Sequence, residues 1–244
     1  YGQGPEARTL SAICGHNLCI DRFGAPWPGE AKPLHGEAGV ISWSMSRPEE
    51  TSVELMTYLP LAALRVRRRF SITGPHCDVV TRVTYDGHAE REIEWAEHPT
   101  ISGPFLEGAI FRAGIDQAFN WPKQPDKASR FIAKEPGARI DVAAALAFPG
   151  SHEPWCGDCV AGCVADGWCT VDNQRLRRRL SYRWNRDEFP WITLWTEHCS
   201  RPEVPWNGNT RTRGVEFATK PFPEGYTPPE RRPSWHGRPT TCVI

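Results

Sequence analysis

The chain is poor in methionine, has no net charge and contains no long apolar run. Only 2 of its 244 residues are Met, and Lys plus Arg and Asp plus Glu both number 29. A balanced charge argues against nucleic acid or another polyanion as partner, because such binders carry a basic excess that neutralises phosphates. No apolar stretch approaches the roughly 20 residues that span a bilayer. The opening YGQGPEART lacks the charged-then-apolar pattern of a secretory leader. No membrane partner is therefore expected, and the compartment is left open with the cytoplasm slightly favoured. The chain starts with Tyr1 and not Met, which fits a trimmed or processed start. Gly-rich phosphate loops, Ser-centred nucleophile motifs and two-His helical zinc spacings are all missing. No metal or other cofactor is expected.

What is present points to short strands. The 23 prolines and 21 glycines punctuate the chain often, which works against long helices. Segments rich in Val, Ile, Trp and Tyr alternate roughly in polarity over 39–46, 52–59, 64–73, 77–85 and 90–96. The turns TGPH and YDGH separate three of them. Further strands are expected over 109–113, 129–134, 176–184, 191–196 and 214–219. Asp141 to Phe148 reads as a short helix. Residues 1–36 read as loop, as do 114–128 and 200–212, and the tail from Pro221 is rich in Pro and Arg. Many short strands without a repeat or linker imply a single all-β domain over 1–244, a sandwich or barrel. At this length it can bury a core without staples.

The 9 cysteines include a cluster, WCGDCVAGCVADGWC, with Cys156, Cys159, Cys163 and Cys169 spaced C-x2-C-x3-C-x5-C. The spacing is too short for the common zinc ribbons. Zinc, local disulfides and free thiols all remain open, with free thiols favoured. The basic strands RVRRRF and RLRRRL read as solvated charge. Asp187 and Glu188 are adjacent and would point to opposite faces of a strand, so they cannot flank one glycosidic bond. His16, His35 and Glu37 form a weak metal-ligand set. The 11 tryptophans suit both a core and a sugar cleft, since apolar C–H faces of sugars stack on rings.

Three segments carry candidate chemistry. His35 lies in KPLHGEAGVISW just before a strand. His98 lies in WAEHPTISGPF just after one. Glu216 lies in RTRGVEFATKPFPEG, flanked by Val215 and Phe217. Taken alone, each histidine reads as a hydrogen-bonded structural residue, and Glu216 as a solvent-facing strand position.

Together, and with CGHNLCIDRFG and FPWITLWTEHCSRPEVPWNGNTRTRGVEFATKPFPEG, these segments resemble the galactose-mutarotase-like (aldose 1-epimerase) superfamily, most of all a bacterial branch of it. The resemblance covers most of residues 1–225 and is weak over 135–175. It implies an antiparallel β-sandwich, the supersandwich, that lacks terminal strands, because chains of the family begin upstream of Tyr1 and continue past the end. It implies a sugar-binding histidine at His35, an acid at His98 and a base at Glu216, with Arg213, Trp95 and Trp206 holding the sugar. No counterpart of the family's binding aspartate is found. The implied activity is interconversion of sugar anomers, with His98 and Glu216 facing one pocket across a sugar's width and His98 protonated beside the carboxylate. The alternatives are a lyase or hydrolase acting on an oligosaccharide or oxidised sugar, and a non-catalytic carbohydrate-binding or structural protein. The partner expected is a small sugar or oligosaccharide, and unpaired strand edges would allow an oligomer.

Overall fold

The computed structural model describes Thr9 and residues 15–123, 126–223 and 234–244. Cys14 and Glu224 fall outside the described residues. The strands run in order as β1 (His16–Ile20), β2 (Ser44–Met45), β3 (Ser52–Leu59), β4 (Leu64–Thr73), β5 (His76–Tyr85), β6 (Glu92–Ile93), β7 (Trp95–Ser102) and β8 (Ala109–Asn120). After these come β9 (Arg139–Ile140), helix α1 (Val142–Leu146), β10 (Cys156–Asn173), β11 (Arg178–Arg183), β12 (Trp191–His198) and β13 (Arg211–Ala218). The described tail adds β14 (Ser234–Trp235), β15 (Arg238–Pro239) and β16 (Cys242–Val243). All the pairings are antiparallel.

The large sheet has the order β1-β7-β13-β12-β10-β8-β9, with β11 pairing onto β10. A second sheet has the order β2-β3-β4-β5. Alternation decides which face each strand buries. In β4, Leu64, Val66 and Arg68 point inward while Arg65, Arg67 and Arg69 are exposed. Leu64 and Val66 join Leu18, Ile20, Leu59 and Ile93 in one core between the sheets. A second core lies behind the large sheet, where Ile101, Val160, Ile192, Leu194 and Val215 pack with Phe111 and with Ala145 of the helix. Asp141 caps that helix by accepting from the Ala144 amide.

Several local expectations are corrected. Residues 16–20 form β1, inside the stretch read as loop, because Leu18 and Ile20 have a core to fill. Strand β8 runs on to Asn120 where a loop was expected, held by the long neighbouring strand β10. Residues 129–134 are turns and not a strand. The cysteine cluster keeps to the favoured of its three readings, neither a zinc site nor a disulfide knot among the described residues. It lies along the 18-residue β10, where alternation and a register shift between Cys163 and Cys169 spread the thiols apart. None of the four is in a disulfide, and no group of three or more His, Cys, Asp or Glu among the described residues could hold a metal. Arg68 is not solvated charge. It is 5% exposed and forks onto Glu97 at 3.0 and 2.6 Å, as a buried guanidinium requires. Among the described residues no helix is long and apolar enough to cross a membrane.

Candidate active site

Two neighbouring strands build the centre of the site. The register of β13 on β7 pairs Gly214 with Thr100 and Phe217 with Glu97, which sets Glu216 opposite His98. Alternation then places His98, Thr100, Ser102, Thr212, Gly214 and Glu216 on one face. That face floors a cavity of about 840 Å³ whose walls include His35, Trp195 and Trp206. His98 is thus within β7 and not after a strand, and Glu216 is 1% exposed instead of facing solvent. The outward alternation visible in the sequence is overridden because both faces of β13 are covered.

His98 Nε2 lies 3.3 Å from Glu216 Oε1. The two groups touch, and are not held a sugar's width apart. Glu216 is a carboxyl buried with no hydrogen-bond partner at either oxygen beyond that contact. Burial drives its pKa from 4.5 up to about 8, with nearby Arg213 pulling weakly the other way. Burial pushes His98 down from 6.5 to about 4, overcoming a backbone hydrogen bond that favours its charge. Desolvation, with His16 adding to it, thus favours a neutral imidazole over the protonated one expected from the sequence, and Glu216, itself protonated below about pH 8, offers no carboxylate charge to oppose it. Between about pH 4 and about pH 8 the pair holds one proton, shared across the contact. On the far side of the ring Thr100 Oγ1 lies 3.2 Å from His98 Nδ1. A hydroxyl can donate or accept, so it supports either tautomer.

His35 sits in a tight turn with φ of 63°, followed by Gly36 at φ of 79°. Its Nδ1 accepts the Gly24 amide at 3.2 Å, which leaves the proton on Nε2. Burial first, then the neighbouring His98 and Lys220, hold His35 well below the usual imidazole range. It is a neutral donor, packed edge-on to His98 with 5.3 Å between ring centroids. The glycines here are steric requirements. A Cβ on Gly24 would lie 2.1 Å from the Pro223 carbonyl oxygen, and one on Gly214 would lie 2.3 Å from Glu216 Oε1.

Of the six residues singled out in the sequence, His35, His98, Glu216 and Trp206 line the cavity together. Arg213 and Trp95 do not, and this corrects their reading as sugar contacts. Both are odd-numbered positions facing away from Glu216. Arg213 is fully buried and donates to Ala145 O at 2.7 Å, to Ala147 O at 3.2 Å and to Thr196 Oγ1 at 2.8 Å. It ties the helix to the back of the sheet. The Trp95 ring packs edge-on against Phe189 and turns its Nε1 to Glu97.

Sequence reasoning missed the group around Glu197. This carboxylate, 1% exposed, accepts the Ser200 amide at 2.6 Å and the Ser200 hydroxyl at 2.8 Å, and pairs with Arg201 Nε at 3.4 Å. It holds the Arg201 guanidinium 5.0 Å from the Trp206 ring and 5.7 Å from that of Trp195. All five residues line the cavity. The only signal was the dense WTEHCSRPEVPW segment, and nothing in it reveals which members share a face.

The weak metal set is also dispersed. His16 pairs with Glu97 at 2.8 Å, and Glu37 accepts the Leu61 and Ala62 amides.

No protein-family model and no curated protein matches the chain. Solved structures do. A galactose mutarotase-like protein from Clostridium acetobutylicum superposes with a TM-score of 0.64 at 9% identity, over 97% of this chain and 77% of that one. A galactose mutarotase related enzyme from Lactobacillus acidophilus gives 0.60 at 10% identity, over 94% and 77%. At such identities the likeness is one of fold, and the chain has the galactose mutarotase-like fold, an all-β antiparallel sandwich.

Proposed function

We propose that the cavity binds a sugar at its anomeric carbon and that His98 and Glu216 interconvert the α and β forms. The observation that carries this reading is the direct 3.3 Å contact of an acid and a base that together hold one proton. Mutarotation acts on two oxygens of a single carbon, O1 and O5. It therefore needs its acid and base side by side. Hydrolysis of a glycoside needs two carboxyl groups roughly 5–9.5 Å apart, which this pair does not supply.

In the proposed step the shared proton resides on His98 once sugar hydroxyls fill the unpartnered oxygens of Glu216. Glu216 takes the proton from the O1 hydroxyl as His98 delivers its proton to O5. The C1–O5 bond breaks and the C1–O1 bond becomes an aldehyde. Rotation about C1–C2 and reclosure, with the two roles exchanged, give the other anomer. Nothing is oxidised and no co-reactant is used. Each proton transfer contributes about 100- to 10,000-fold. The neutral His35 Nε2–H donates to a sugar hydroxyl, and Trp206 stacks on a C–H face of the ring.

The size of the cavity favours a sugar that carries a further ring. Six adjacent strands contribute to its lining, from Asn17 on β1 to Asn120 on β8. That is a width of roughly 24 Å at about 4.8 Å per strand spacing, more than one pyranose covers.

The test is NMR of freshly dissolved α-D-glucose, α-D-galactose and α-lactose with the protein and with Glu216→Gln. Faster approach to anomeric equilibrium that vanishes in the variant supports the reading. No acceleration with any of the three, or equal acceleration by the variant, overturns it.

A further inference from the structure

Among the described residues, strand β5 is the outer strand of the four-stranded sheet. All ten of its residues pair with β4 without a bulge, from Thr73↔His76 to Leu64↔Tyr85. A two-residue loop, Gly74 and Pro75, closes this hairpin, so Thr73 and His76 form a hydrogen-bonded pair. The pattern then repeats every second residue. His76, Asp78, Val80, Arg82 and Thr84 direct their amides and carbonyls at β4. Cys77, Val79, Thr81 and Val83 direct theirs to the open edge.

Such an edge is normally blunted by a bulge, a proline, a short length or like charges that repel a second strand. β5 has none of these. Its two charged residues, Asp78 and Arg82, have opposite sign and stand symmetrically about Val80. Neither has an ion-pair or side-chain hydrogen-bond partner among the described residues. Both share the outer face with Val80, which is 65% exposed. Arg82 also stands directly across from Arg67, a like-charge cross-strand pair that destabilises the sheet.

We propose that β5 is a self-association edge, on which a second copy of this chain pairs antiparallel about a two-fold axis through Val80. In that register Val80 meets its own copy. Asp78 faces Arg82 of the partner copy, and Arg82 faces Asp78 of the partner copy. These are the non-hydrogen-bonded positions, where Cα atoms approach to about 4.5 Å and side chains are closest. Val79 and Thr81, with their outward amides and carbonyls, supply the new ladder. The two four-stranded sheets become one of eight strands. The contact is isologous, so it closes at two copies and does not propagate. Each copy neutralises the other's Arg82, which offsets the repulsion from Arg67. The cavity lies on the other face of the large sheet and stays open.

Sedimentation equilibrium of the full chain, from low to high micromolar concentration, tests this. The unaltered protein is expected to show a monomer–dimer equilibrium. Asp78→Arg and Arg82→Asp each replace two attractive pairs by two repulsive ones and should raise the dimer dissociation constant by about tenfold or more. The double exchange Asp78→Arg/Arg82→Asp restores opposite charges at both positions and should return the constant close to its starting value. Val79→Pro removes an outward amide without touching the β4 ladder and should abolish the dimer while thermal stability is kept. A protein that stays monomeric throughout overturns the proposal. So does a double exchange as weak as the single ones, or a Val79→Pro protein that dimerises like the parent.

Discussion

Replacing Glu216 by Gln should make the protein inactive and, above acidic pH, more stable. The carboxyl is buried without hydrogen-bond partners, and burial raises its pKa from 4.5 to about 8. A carboxyl whose folded pKa is raised stabilises the fold fully below about pH 4.5 and ceases to do so as pH rises through about 8. At about 1.4 kcal/mol per pH unit, the loss approaches 5 kcal/mol above both values. Gln has the shape of the neutral carboxyl and no such titration. The variant and the parent should unfold at similar denaturant concentrations in acid. They should separate progressively as the pH is raised to about 8, with the variant the more stable. Over the same range the variant should lose about 100- to 10,000-fold in anomer interconversion, since an amide cannot exchange the proton. Parallel stability curves would refute the burial argument, and retained activity would refute the catalytic one.

The remaining predictions concern its neighbours. His98 has its folded pKa depressed to about 4 from 6.5, so the stability of its neutral form is present above about pH 6.5 and lost as pH falls through about 4. His98→Gln should therefore resist acid unfolding better than the parent by about 3 kcal/mol near pH 4, measured by denaturant titration, while losing activity. Gly214→Ala brings a Cβ to 2.3 Å from Glu216 Oε1. It should displace the carboxylate from His98 and cut turnover by about 100-fold with the circular dichroism spectrum unchanged. Trp206→Ala should raise KM by about five- to tenfold with little change in kcat, the signature of lost stacking. Arg213→Met leaves the Ala145 and Ala147 carbonyls unpaired behind the sheet and should cost about 3 kcal/mol of stability, with KM unchanged wherever the protein is folded.

The strand pattern was legible because it is local. The alternation of LRVRRRF over β4 states which residues face the core, and the Gly and Pro punctuation marks most of the turns. Failures occurred where distant partners decide. HNLCI looks like loop until β7 offers it a ladder. The WCGDCVAGCVADGWC run leaves metal, disulfide and thiol states open, with thiols favoured, until an 18-residue strand spaces its sulfurs out. Arg68 reads as solvated until Glu97 comes from another sheet to meet it.

The candidate site divides in the same way. By itself the sequence determined that His35, His98 and Glu216 lie in segments like those of a sugar-handling fold, and that Trp206 lies near the last of them. Only the tertiary structure decided that Glu216 stands opposite His98, because strand register is a property of two segments separated by more than a hundred residues. It also removed Arg213 and Trp95, since a shift of one residue along a strand reverses the face. The protonation of the pair was beyond sequence altogether. Desolvation depends on what covers a group from every side, and here it keeps the proton on Glu216 and the charge off His98.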